Sequence, residues 1–170
     1  TWSAGGLRMN NATINNTATG TFTTNFDGTI SHFSSPGGTF NNAGIFTKSG
    51  GTGTTQLNGA TAFNNTGTVN ANSGTLLFSG SVAQHSGTTL TGGAWNVTNG
   101  STLTFSGGSN LTTIGSAASV TLDGTNSTFN RLGSVTASTL TTNQGSFTIK
   151  NDRDLTTAGA YTNSGTTRVE

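Results

Sequence analysis

The sequence predicts an all-β fold, a right-handed parallel β-helix (β-solenoid) with coils of roughly 20–25 residues. Three observations predict it. One short polar motif recurs along the chain, the segments between its copies alternate apolar and polar residues, and Gly-containing dipeptides separate those segments. The motif is clearest in Phe40-Asn41-Asn42-Ala43-Gly44, which returns as Phe63-Asn64-Asn65-Thr66-Gly67. A self-similar unit of this size is the mark of stacked repeats, because one such unit is too small to bury its own apolar residues.

The elements follow in order. Ile14-Asn15-Asn16-Thr17-Ala18 is a looser first copy of the motif, Phe40 and Phe63 open the two clear copies, and Tyr161-Thr162-Asn163-Ser164-Gly165 is a last one. Between the middle copy and the last lie Gly74-Thr75-Leu76-Leu77-Phe78, Ser101-Thr102-Leu103-Thr104-Phe105, Ser119-Val120-Thr121-Leu122 and Ser146-Phe147-Thr148-Ile149. Apolar residues two apart put one face of a strand inward and the other outward. No stretch keeps a helical period, and glycine would weaken a helix at every turn. The predicted interior is Phe22, Ile30, Phe40, Phe63, Val69, Leu76, Phe78, Trp95, Val97, Leu103, Phe105, Val120, Leu122, Leu140, Phe147 and Ile149, with threonines on the outside. Seven or so coils would fit, at the ~4.8 Å spacing of neighbouring strands.

Turn chemistry agrees. Asp27-Gly28, Asn58-Gly59, Asn99-Gly100 and Asp123-Gly124 are dipeptides that tolerate positive φ, and Pro36-Gly37-Gly38 reads as a longer loop leaving one coil. The same dipeptides would serve antiparallel hairpins. The length and mutual likeness of the repeats favour the solenoid. Paired asparagines at equivalent turns are suited to amide ladders between stacked coils.

Composition narrows the function classes. Only 6% of the residues are charged and the formal net charge is +1, whereas disordered chains combine few apolar residues with high charge and much proline. Arg8, Lys48, Arg131, Lys150, Arg153 and Arg168 are scattered, without the basic stripe of a nucleic-acid binder. No run of eighteen apolar residues is available to span a membrane, and Thr1–Gly6 does not read as a signal peptide. With no cysteine there are no disulfides or thiolate metal sites. Residues 1–170 read as one solenoid segment without an amphipathic cap at either end, which points to part of a longer repeat protein or to an end-to-end assembly.

No catalytic, cofactor-binding or metal-binding residues are predicted. The acids are Asp27, Asp123, Asp152, Asp154 and Glu170, and the first two precede glycine, where a turn role explains them. Lys150-Asn151-Asp152-Arg153-Asp154 shares an Asp-Xaa-Asp spacing with calcium loops but lacks their glycine and distal glutamate, and reads as a solvated loop with locally paired charges. His32 and His85 are expected as exposed or hydrogen-bonded turn residues. Trp95 is expected in the core, with Trp2 plugging the open end. Glycosylation sequons begin at Asn11, Asn15, Asn64, Asn96, Asn99, Asn110 and Asn126, as chance produces in so polar a chain.

The Asn-Asn-Xaa-Gly and Asn-Ser-Gly-Thr units, with Leu111–Gly124 and the run from Asn143 to Gly165, resemble repeat regions of large bacterial cell-surface proteins. Those are the filamentous-haemagglutinin-like adhesins and autotransporter passenger regions. The resemblance implies a secreted, cell-surface β-helix stalk or adhesin without enzymatic activity and without cofactors. Its expected partners are other copies of itself or host and cell-surface glycans. Three further functions compete: an end-to-end filament subunit, a carbohydrate-binding or polysaccharide-cleaving β-helix, and an ice-binding solenoid. The last draws on Thr21-Phe22-Thr23, Thr102-Leu103-Thr104 and Thr139-Leu140-Thr141, whose spacing is irregular.

Overall fold

A computed structural model describes residues 1–33, 37–98, 100–133 and 137–170. Pro36 of the expected Pro36-Gly37-Gly38 loop and Asn99, with its sequon and its share of the Asn99-Gly100 turn, lie outside the described residues. The chain is a β-solenoid of about five turns. Further strands continue single faces at both ends, so complete turns are fewer than the seven or so expected.

Three parallel faces surround one core. The first stacks Leu7–Arg8, Thr29–Ser31, Thr54–Leu57, Thr75–Phe78, Thr102–Phe105 and Thr128–Phe129 in a 6-stranded sheet. The second stacks Thr21–Thr24, Ile45–Lys48 and Thr68–Ala71, continues through residues 94–97 and 119–123, and ends with Ser146–Lys150 and Thr166–Val169. The third begins with Thr13–Asn16, Thr39–Asn42 and Ala62–Asn65. Two long strands, Thr89–Val97 and Thr113–Asp123, turn a corner and carry the later third face and the second face as one 10-stranded sheet. The hairpin alternative is overturned by these parallel registers. Among the described residues, antiparallel pairing is limited to His85–Ser86 against Thr89–Leu90 and to a bridge between Gly133 and Ser138.

Register follows the repeats. Phe40-Asn41-Asn42 pairs residue for residue with Phe63-Asn64-Asn65. Equivalent residues lie 26, 23, 27 and 20 positions apart at different coils, so the repeat length varies more than 20–25. Equivalent inward positions stack, Phe22 on Phe46, Phe40 on Phe63 and Phe78 on Phe105. Across the three faces the rings form one contiguous chain from Trp2 through Phe22, Phe46, Phe63, Phe78, Trp95 and Phe105 to Phe129, with successive centroids 4.3–6.4 Å apart. Each such side chain removes about 150–250 Å² from water, and favourable ring pairs add about 0.5–1.5 kcal/mol apiece.

The expected interior residues are buried, except Phe22, which is only partly covered because it sits in the first turn. Met9, Phe46, Leu57, Leu90, Leu111, Ile114 and Phe129 join them. Trp2 is half-buried, pairs with Thr24 through backbone hydrogen bonding at the second face, and lies edge-on to Phe26 at 4.8 Å. It covers the N-terminal end of the chain of rings, as expected. Threonine is not confined to the outside. Thr24, Thr55 and Thr61 are buried, Thr55 in the column that Leu76 continues.

Candidate functional site

The most regular chemistry lies at the corner between the third and second faces. After an inward Phe and an outward Asn, period two points the next Asn inward where the chain turns. Asn16 Nδ2 donates to Asn42 Oδ1 at 2.7 Å, and Asn42 Nδ2 to Asn65 Oδ1 at 2.8 Å. These inner amides also serve backbone carbonyls at the start of the second-face strands, Ile45 O from Asn16 and Thr68 O from Asn42. Asn143 repeats the arrangement with Asn163 Oδ1 and Thr166 O, both at 2.8 Å. An outer ladder joins Asn15, Asn41 and Asn64. The predicted amide ladders are therefore present, and doubled.

The glycine two residues after Asn42, Asn65 and Asn143 is set by contact rather than by φ. A Cβ on Gly44 would stand 2.2 Å from Gly20 O, and one on Gly67 2.1 Å from Gly44 O. Among the predicted turn dipeptides, Gly100 and Gly124 adopt positive φ. Gly28 and Gly59 do not, so their role was misread. Gly28 is required by the rings of Phe26 and Trp2, which a Cβ would overlap.

Four charged side chains, Lys48, Asp27, Asp123 and Arg153, are committed to the scaffold. Lys48 is fully buried, its ammonium donating to Asp27 Oδ1 at 2.9 Å, Gly50 O at 2.9 Å and Thr55 Oγ1 at 3.1 Å. The hydrogen bond from Lys48, followed by that from the Gly53 N–H, lowers the Asp27 pKa below its ordinary value. Asp123 is lowered chiefly by the Asn151 amide, against a smaller opposing effect of burial, with Lys150 contributing through a 3.3 Å ion pair. In the Lys150–Asp154 cluster, Asp152 and Asp154 are exposed, as a solvated loop requires. Arg153 overturns the rest of that expectation. It is buried and donates from Nε to Ser127 O at 3.1 Å, and burial lowers its pKa. Asn151 and Asp152 hold left-handed φ values of 54° and 60°, which turns the loop back and lets Arg153 point inward.

The remaining candidates separate. His32 Nδ1 lies 2.9 Å from Asn58 Oδ1, and His85 Nε2 lies 2.9 Å from Ser109 O, so both are hydrogen-bonded corner residues. Trp95 is in the core and donates Nε1–H to Gly92 O at 2.9 Å. Among the described residues no group of three or more His, Asp or Glu side chains is placed to hold a metal. No described helix is long and apolar enough to cross a membrane.

Sequence reasoning missed one concave feature, a cleft of about 340 Å³ where three corners meet near Gly59, Ser79, Gly80, Val82, His85 and Phe105. It opens where the third face is interrupted. In place of a full strand, residues 79–88 make an excursion whose Gln84 ends the asparagine ladders, donating to Asn64 Oδ1 and accepting from Asn65 N–H, both at 2.7 Å. His85 stands against Phe105 with ring centroids 5.6 Å apart, and Gly108 leaves room for the imidazole, since a Cβ there would meet it at 2.3 Å. The lining is neutral apart from that one imidazole, so it presents a single titratable group and no acid–base pair. Comparison of the chain with protein-family models, with curated proteins and with solved structures finds no match.

Proposed function

We propose that this chain is a structural stalk segment of a secreted bacterial surface protein, serving reach and adhesion rather than catalysis. One observation carries the reading: the polar side chains are spent on holding coil to coil. Lys48 and Asp27, Asp123 with Asn151 and Lys150, Arg153 on Ser127, and the inner asparagines all bond across successive turns. A catalytic site leaves converging groups free to meet substrate. A stalk needs a stiff repeating rod with a neutral, soluble exterior. The outward positions of the second face, Thr21, Thr23, Thr47, Thr68, Asn70, Asn96, Thr121 and Thr148, supply such an exterior. The resemblance of the Asn-Asn-Xaa-Gly units to bacterial surface repeats favours the same reading.

Small-angle scattering of the purified chain, with incubation against a panel of neutral and acidic polysaccharides, tests it. A scattering profile that fits about five coils stacked at ~4.8 Å, and unchanged polysaccharide length, are expected. Release of new reducing ends would replace the stalk with a polysaccharide-cleaving β-helix.

A further inference from the structure

Asn58 and Gly59 occupy the corner that follows the first-face strand Thr54–Leu57. The backbone there is fixed on both sides: Asn58 N–H donates to Ile30 O at 2.9 Å and Thr61 N–H donates to Asn58 O at 2.8 Å. The Asn58 side chain is fixed as well. Ala60 N–H donates to Oδ1 at 3.0 Å, which identifies that atom as the carbonyl oxygen. The same oxygen lies 2.9 Å from His32 Nδ1, so His32 carries its proton on Nδ1 and donates. Two N–H groups from different coils thus converge on one side-chain carbonyl.

The rest of the corner is left open. Gly59 is exposed, and its N–H makes no hydrogen bond among the described residues. It carries no side chain to screen that nitrogen. Asn58 Nδ2 likewise has no partner among the described residues.

We propose that Asn58-Gly59 is a self-modification site, at which the folded corner promotes loss of ammonia from Asn58. Gly59 N gives its proton to solvent base and forms a bond to Asn58 Cγ. The negative charge gathers on Oδ1, which in the intact amide already has Ala60 N–H and His32 Nδ1–H within hydrogen-bond reach as donors to stabilise it. The Cγ–Nδ2 bond then breaks and ammonia leaves with a proton from water, giving a five-membered succinimide. Water opens the ring to aspartate or isoaspartate, so the net change is amide plus water to carboxylic acid plus ammonia. His32 is a positioning and charge-stabilising residue here, held by the preceding coil. The product puts a carboxylate beside its imidazole, on a corner whose Gly59 lines the cleft.

Incubation of the folded protein at neutral pH and body temperature, followed by peptide mapping and isoaspartyl methyltransferase labelling, tests this. A synthetic peptide spanning residues 54–63 provides the unfolded reference rate. The protein is expected to convert at residue 58 faster than the peptide. His32→Ala should slow it on the order of ten- to a hundredfold, less than the loss of one oxyanion donor in a sealed active site because this corner is wet. Gly59→Ala should slow it markedly by crowding the attacking nitrogen, and fits sterically, since its Cβ would meet only Ser79 O, at 3.7 Å. Conversion of the wild-type protein no faster than the peptide would overturn the proposal without recourse to any variant. So would an unchanged rate in a His32→Ala protein whose circular dichroism is that of wild type.

Discussion

Asn41 and Asn42 are chemically identical neighbours on opposite faces of one strand, and replacing each in turn with alanine isolates what burial does to an amide ladder. Asn42 is 1% exposed. Its Oδ1 accepts from Asn16, and the two protons of its Nδ2 are shared among Asn65 Oδ1, Thr68 O and Gly44 O. Counting three full hydrogen bonds at about 1 kcal/mol net each gives about 3 kcal/mol, before any cost for acceptors left dry. Asn41 donates to Asn15 at 2.9 Å and accepts from Asn64 at 3.4 Å on the outer surface, where water replaces either contact. Its loss should cost less than about 1 kcal/mol. Urea titration followed by far-UV circular dichroism reads both. With m near 2 kcal/mol/M, Asn42→Ala should lower the midpoint by about 1.5 M and Asn41→Ala by less than about 0.5 M. Equal shifts would show that the inner ladder adds nothing beyond surface hydrogen bonding, and the account of the corner would fail.

Two further outcomes follow from the same geometry. Gly67→Ala should abolish folding or cost several kcal/mol, because the new Cβ would stand 2.1 Å from the Gly44 carbonyl in the coil below; Gly107→Ala, with nothing within 4 Å, should stay within about 0.5 kcal/mol of wild type in the same titration. The pH dependence has a defined sign. Asp27 and Asp123 have pKa values lowered from 3.8, so their stabilisation is fully present above that value and is lost as pH falls through the lower folded-state values. The urea midpoint should hold between neutrality and about pH 5 and drop in stronger acid. Asn151→Ala, which removes the main cause of the Asp123 shift, should flatten that acid limb.

Fold class was legible because the two determinants are local. Alternation such as Leu103-Thr104-Phe105 shows which face is buried, and Phe40-Asn41-Asn42 repeating as Phe63-Asn64-Asn65 shows what stacks on what. The omissions have physical reasons. Phe46 sits in Ile45-Phe46-Thr47-Lys48, whose alternation places a lysine inward and an isoleucine outward, the reverse of ordinary strand chemistry. Lys48 is tolerated only because Asp27, Gly50 and Thr55 meet its ammonium, and Thr55 gives no sign in the sequence that it faces the core. Arg153 was hidden in the same way, since its acceptor Ser127 is supplied from the preceding coil. The cleft was out of reach altogether. It arises from corners of three coils whose strands look ordinary, and nothing local marks Gly59, Gly80 and Phe105 as neighbours.

The variable coil length joins these points. Offsets of 20 to 29 residues coexist with in-register strand pairing, so extra residues are taken up at the corners while the strands keep register. A strand position is constrained from both sides by the coils above and below it. A corner residue meets that constraint only where an inner asparagine or a close-packed glycine fixes it. Elsewhere corners are tied by contacts particular to one coil, Asn58 to Ile30, Ala60 and His32, and Gln84 to Asn64 and Asn65. In a solenoid stabilised this way, chemistry that is not structural belongs at the corners, and the cleft and the Asn58 constellation are both found there.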